Sequence, residues 1–178
     1  MKKPLIAVTL GAALVSAGAS AAGMSVIAGE DYIAASADIN KAGLGFTADW
    51  THNDDKGDAA GIGIGVGVPL GKALLTLGGK VMYLDPQNAT TGYAGAIGGG
   101  ISVPLGERFV VYGEGYYSPD SLSNGIQSYT EAKAGVRFNI TKNLGADVGY
   151  KYVNIDSKDG QPSAELANGV YAGVALKF

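Results

Sequence analysis

The residue types best suited to nucleophilic chemistry in this chain are its one histidine, His52, and the stretch Ser118, Asp120 and Ser121. A triad needs a nucleophile in contact with a base that a third group orients. Nothing in the spacing brings position 52 to positions 118–121. By parity His52 lies on the same apolar side of its segment as Trp50, so it reads as an interfacial or loop histidine, and no catalytic residue is assigned. Asp54, Asp55 and Asp58 form an acidic turn that would suit a divalent cation bridging to lipid phosphates. The turn lacks EF-hand spacing and has no Glu at its end, so it reads as a solvated hairpin tip without a metal. Gly61, Gly63, Gly65 and Gly67 are no phosphate loop either, because Val66 stands where a third fingerprint glycine belongs. Glycines at period two belong to a strand, and no cofactor is expected.

The remaining chemistry lies in nine charges, Asp49, Lys80, Glu114, Glu131, Lys133, Arg137, Asp147, Lys151 and Lys177, each on the polar side of an alternating segment. Mixed signs on one side suit an ion-paired interior, and the alternative is a narrow polar path for ions or small solutes. What must position them is a set of strands. Ile62, Ile64, Val66 and Val68 alternate with the glycines; Thr130, Ala132, Ala134, Val136, Phe138 and Ile140 alternate with Glu131, Lys133, Gly135, Arg137 and Asn139. The last segment, Asn168 to Phe178, places Val170, Ala172, Val174, Leu176 and Phe178 on one side and Tyr171, Gly173, Ala175 and Lys177 on the other. One side suits hydrocarbon and the other a polar interior, the pattern of a transmembrane barrel strand.

From Leu44 onward about eight such strands follow, so the expected fold is an all-β, antiparallel transmembrane β-barrel at residues 44–178. Residues 22–43 read as an N-terminal extension or extra strand, with a ten-strand barrel as the alternative if that region splits in two. Pro69 to Lys72, Pro104 to Glu107 and Thr141 to Asn143 are short turns, whereas the connections after His52, Asp85, Ser118 and Ile155 are longer and polar. Outer-membrane barrels keep short turns in the periplasm, which sets the expected orientation. Trp50, Tyr83, Tyr93, Tyr117 and Tyr152 then fall at outer strand ends, and Phe109, Phe138 and Phe178 at inner ends, as two interfacial girdles.

Lys2 and Lys3, the apolar run from Leu5 to Val15 and the small-x-small site Ala19-Ser20-Ala21 read as a cleaved signal peptide over residues 1–21. The apolar run is shorter than the roughly 20 residues a membrane-spanning helix needs. The chain has no cysteine, which excludes disulfides, thiolate metal sites and an N-terminal lipoprotein anchor. Its net charge of -3 becomes -5 without Lys2 and Lys3, which argues against nucleic acid as a partner.

Val170, Val174, Leu176 and Phe178 also resemble the C-terminal signal read by the bacterial outer-membrane assembly machinery. The segments Gly29-Glu30-Asp31-Tyr32, Ala60-Gly61-Ile62-Gly63, Leu75-Thr76-Leu77-Gly78-Gly79-Lys80, Tyr116-Tyr117-Ser118-Pro119-Asp120-Ser121-Leu122-Ser123 and Glu131 to Arg137 resemble the YfaZ family. The resemblance implies an outer-membrane barrel and carries over no site residue. The expected function is that of an integral Gram-negative outer-membrane protein with a structural or surface-interaction role, in contact with membrane lipid and lipopolysaccharide. A porin-like narrow channel is the second reading and an outer-leaflet lipid-modifying enzyme the third.

Overall fold

The computed structural model describes residues 22–39, 42–158 and 160–178; the signal-peptide assignment to residues 1–21 lies outside them. The strands in chain order are β1 (Ala22–Ala28), β2 (Tyr32–Ile39), β3 (Gly43–Asn53), β4 (Gly57–Leu70), β5 (Ala73–Pro86), β6 (Gly92–Leu105), β7 (Phe109–Ser118), β8 (Ser123–Asn124), β9 (Ile126–Asn139), β10 (Leu144–Ser157) and β11 (Ala164–Lys177). Neighbours pair antiparallel in the order β5-β4-β3-β2-β1-β11-β10-β9-β7-β6, and a β5–β6 pairing closes the ring. Ten strands form the barrel, while the two-residue β8 lies outside the ring order and pairs with β6 beyond the end of β7.

The expectation of eight strands is therefore corrected to ten. The stretch 22–43 is not an extension: it supplies β1 and β2, with Val26 opposite Val174 of β11 and Ala35 opposite Trp50 of β3. Periodicity does not reveal this hairpin because Ala34, Ala35, Ser36 and Ala37 are too small and too alike to mark an inner and an outer side. The ring closes all the same, since closure is the way an open sheet loses its edges.

Tight turns join the strands at one end, where Gly71 and Gly106 adopt the left-handed φ values of 63° and 70° that favour glycine. The other end is less loop-rich than the sequence suggests, because the strands run further than expected. β11 begins at Ala164 rather than Asn168, and β10 continues to Ser157. Among the described residues no helix is long and apolar enough to cross a membrane. Crossing falls to the strands, whose outer sides expose continuous apolar rows such as Ile62, Ile64, Val66 and Val68 on β4.

Towards the loop end the amphipathic pattern inverts. In β10 the outward row Leu144, Ala146, Val148, Tyr150 and Tyr152 gives way to Asn154 and Asp156, while the inward row Gly145, Asp147, Gly149 and Lys151 gives way to Val153 and Ile155, both fully buried. β5 does the same, with Asp85 outward beyond Tyr83 and the buried Met82 and Leu84 inward beyond Lys80. Below the aromatic level the wall suits lipid outside and polar groups inside. Above it the wall suits water outside and an apolar core inside, so the barrel continues beyond the bilayer as a crown with a soluble-type interior.

Candidate functional site

Three layers fill the lumen from the loop end to the turn end. The first is apolar: Leu84, Ile126, Tyr129, Val153, Ile155 and Leu166 are each 0–1% exposed and form one cluster inside the crown. A β-bulge tightens it. The β10–β11 register shifts between Val153 and Asn154, so that Leu166 and Ala167 of β11 both turn inward. β1 stops opposite Ala172, leaving the upper part of β11 without a β1 partner. Side chains stitch that seam instead, Asn53 Nδ2 donating to the Leu166 carbonyl at 3.1 Å and the Tyr32 hydroxyl to the Gly169 carbonyl at 3.2 Å.

The second layer is a belt of buried ions. Glu131 accepts from Lys80 Nζ at 3.0 Å, Lys151 Nζ at 2.7 Å and the Tyr129 hydroxyl at 3.2 Å. Lys80 Nζ also lies 2.9 Å from Asp49 Oδ1 and 4.1 Å from the centre of the Tyr116 ring. All four ions are under 8% exposed, and their two positive and two negative charges cancel. Such a group costs several kcal/mol to desolvate and persists when its geometry and further hydrogen bonds offset that cost.

Below the belt the pairs are less deeply buried. Lys133 Nζ meets Glu114 at 2.8 Å, and Arg137 donates from Nε and Nη2 to the two oxygens of Asp147 at 2.7 and 2.8 Å. The Tyr112 ring sits between Lys133 and Arg137, and its hydroxyl shares a 2.7 Å hydrogen bond with that of Tyr171. Inward glycines make room for these rings: a Cβ on Gly149 would stand 2.6 Å from the Tyr171 hydroxyl. The third layer is a cavity of about 640 Å³ that reaches from Glu114 and Lys133 to Phe178 at the turn end, with Ser36, Thr76 and Ser102 among its walls.

Of the nine interior charges read from the sequence, the structure brings Asp49, Lys80, Glu131 and Lys151 into one network and joins Glu114 to Lys133 and Arg137 to Asp147. Lys177 is different: it is exposed at the cavity mouth, where its ammonium donates to Asn139 Oδ1 at 3.3 Å. Asp38 of β2 also lines the cavity and escaped sequence reasoning, together with the apolar plug. The signal for the plug was available in the inverted alternation beyond Tyr83 and Tyr152.

The aromatic positions Tyr83, Tyr93 and Tyr117 at one level and Phe109 at the other are exposed on the outer wall, with Tyr152 and Phe138 half-buried there. Tyr83 packs edge-on against Tyr93 at 5.5 Å, and Phe109 lies tilted against Phe138 at 5.2 Å. Trp50 departs from an exposed girdle position. It is only 8% exposed, stacks on His52 at 5.6 Å and donates its indole N–H to Asp58 at 3.2 Å. His52 in turn contacts Asp58 through Nδ1 at 2.9 Å and Asp54 through Nε2 at 3.1 Å. Ser118 is elsewhere: it is buried and bonded to the Ser123 hydroxyl at 2.9 Å, while Asp120 pairs with Lys158. The structure does not bring His52, Ser118, Asp120 and Ser121 together. Among the described residues no group of three or more His, Cys, Asp and Glu side chains is arranged to hold a metal. On the crown, hydrogen bonds from Ser128, Asn154 and Ser163 hold the Asp156 carboxyl below its usual range.

A family model described as "YfaZ precursor" matches residues 1–178. The chain is 45% identical over 180 residues to "Outer membrane protein YfaZ" of Escherichia coli (strain K12), covering 100% of both chains. A solved structure titled "De novo design of transmembrane beta-barrels" aligns over 89% of this chain and 96% of its own, at 14% identity and a TM-score of 0.40.

Proposed function

The chain belongs to the YfaZ family and is a protein of the bacterial outer membrane, and from that premise we propose that it is a non-conducting barrel with a structural or surface-interaction role. The observation that carries this reading is the stacked plug and ion belt. Six buried apolar side chains cap a charge-neutral cluster, an arrangement that, among the described residues, puts an apolar layer across the loop end of the lumen. An ion would have to shed its water among Tyr129, Ile155 and Leu166, which is prohibitive in a dry apolar layer.

With the short turns in the periplasm, the crown and its loops face the cell exterior. Its outward Asp85, Asp156, Glu165 and Asn168 then stand at the height of the lipopolysaccharide head groups, the partner this reading assigns. The terminal strand, with Val170, Val174, Leu176 and Phe178 on its outer side, serves as the address read by the assembly machinery. His52 acts as an interfacial group with no catalytic part; its two carboxylate neighbours and its stacking on Trp50 support this, and no hydroxyl lies among its described hydrogen-bond partners.

Planar-bilayer recording on the refolded mature chain tests the proposal. The expected trace stays at background. Steady conductance that changes on replacing Glu114 or Arg137 would establish the channel reading in its place. Outer-leaflet lipid turnover abolished by His52→Ala would establish the enzyme.

A further inference from the structure

The cavity at the turn end has the size of a binding site. Its volume of about 640 Å³ lies within the 300–1,000 Å³ range of small-molecule pockets. Most charges near it are spent on each other, as the Lys133–Glu114 and Arg137–Asp147 pairs show. Three are not. Among the described residues Asp38, Lys72 and Lys177 enter no ion pair, although all three line the cavity. Lys72 sits on the exposed turn between β4 and β5, whereas Asp38 and Lys177 stand on the two strands that flank β1.

Their placement follows from register. Gly23 of β1 is paired with Asp38 on one side and with Lys177 on the other. All three positions face inward, and glycine leaves a gap between the two charges. The Asp38 carboxylate leans over it: a Cβ on Gly23 would lie 3.5 Å from Asp38 Oδ1. Opposite charges set two strands apart, each open to the cavity, are arranged to bridge through a third body. Arg137 adds a second donor on the cationic side, since Nε and Nη2 are taken by Asp147 while Nη1 has no hydrogen-bond partner among the described residues. The hydroxyls of Ser36, Thr76 and Ser102 supply neutral donors and acceptors of the kind an amide backbone uses.

We propose that this cavity binds a small zwitterion, an amino acid or short peptide, with its ammonium on Asp38 and its carboxylate on Lys177 and the free edge of Arg137. A purely anionic ligand would leave Asp38 opposing it, and a purely cationic one would leave Lys177 and Arg137 opposing it. A zwitterion satisfies both ends at once. The inference rests on the reading that the lumen ends blind at the crown.

The probe is tri-alanine, titrated calorimetrically into the refolded mature chain in detergent. Uncapped tri-alanine should bind saturably. N-acetylation or C-amidation should each weaken binding about ten- to a hundredfold, the worth of one charge-assisted hydrogen bond. D38N should weaken the uncapped peptide similarly and erase the effect of N-acetylation, and K177Q should shrink the effect of C-amidation to what Arg137 still contributes. The capped peptides test the wild-type chain, so the answer survives a variant that refolds poorly. Equal binding of capped and uncapped peptides, competition by acetate as strong as by tri-alanine, or no saturable heat would each overturn the proposal. Leakage of tri-alanine from liposomes carrying the wild-type barrel would sink the blind-lumen reading instead, while the calorimetric comparison would still decide whether the site exists.

Discussion

Replacing Glu131 by Gln removes the anion that holds two buried ammonium groups at 2.7 and 3.0 Å. At those separations one unit pair is worth about 1.5 kcal/mol in bulk water and about 6 kcal/mol at an effective dielectric constant near 20. Lys80 retains Asp49, but Lys151 loses its ion-pair partner while remaining only 3% exposed. Breaking a buried pair on one side costs about 3–5 kcal/mol, chiefly because the orphaned charge stays desolvated. Urea unfolding from lipid vesicles, followed through the fluorescence of Trp50, the only tryptophan, should report a loss of that size. The double variant Glu131→Gln with Lys151→Met removes one charge of each sign and leaves Lys80 paired with Asp49, so it should recover most of the loss. Asp85→Asn, on the exposed side of β5, is the neutral control. The reasoning fails if Glu131→Gln costs under about 1 kcal/mol, the value typical of solvated pairs. That result would mean water fills the belt and the lumen is open.

Deleting Phe178 should leave export intact and reduce the amount of folded, heat-modifiable protein in the outer membrane; an unchanged yield would remove the terminal strand from its assembly role. A chain without cysteine also permits a test of sidedness. Thr76→Cys, in the cavity wall, should resist a membrane-impermeant maleimide on intact cells and react once the outer membrane is permeabilised. Leu166→Cys should resist in both conditions, and rapid labelling of Thr76→Cys on intact cells would refute the orientation.

The bilayer-facing part of the barrel was legible because lipid and lumen demand opposite residues: in β9 from Thr130 onward every charge falls on one parity and Ala132, Ala134, Val136 and Phe138 on the other. Register then carried the interior charges to their places. β1 and β2 were not legible, because alanine and serine are tolerated on either side and leave no amphipathic trace. The plug left a signal that a single parity rule misreads. Val153, Ile155 and Leu166 are strongly apolar, but beyond the girdle the solvent outside the wall changes, so the parity that meant lipid now means water. Read with one rule throughout, the segment from Asp156 to Ala167 looks like loop. Ion pairing itself was legible as a class, but the Lys80–Glu131 contact was not, since it is made across the lumen, whereas Glu114–Lys133 and Arg137–Asp147 join directly opposed positions of neighbouring strands.

The crown has a consequence for how the molecule enters its membrane and whether it leaves. Its outer surface is polar and its waist is apolar, so in the proposed orientation the polar end must pass once through the bilayer during insertion and would have to pass again on extraction. On the way in, the strands cross before the apolar cluster around Tyr129 and Leu166 has condensed. On the way out, that cluster must first dissolve. Removal therefore retraces insertion over a barrier that includes melting the cluster, and the folded barrel should leave more slowly as that cluster is packed more tightly.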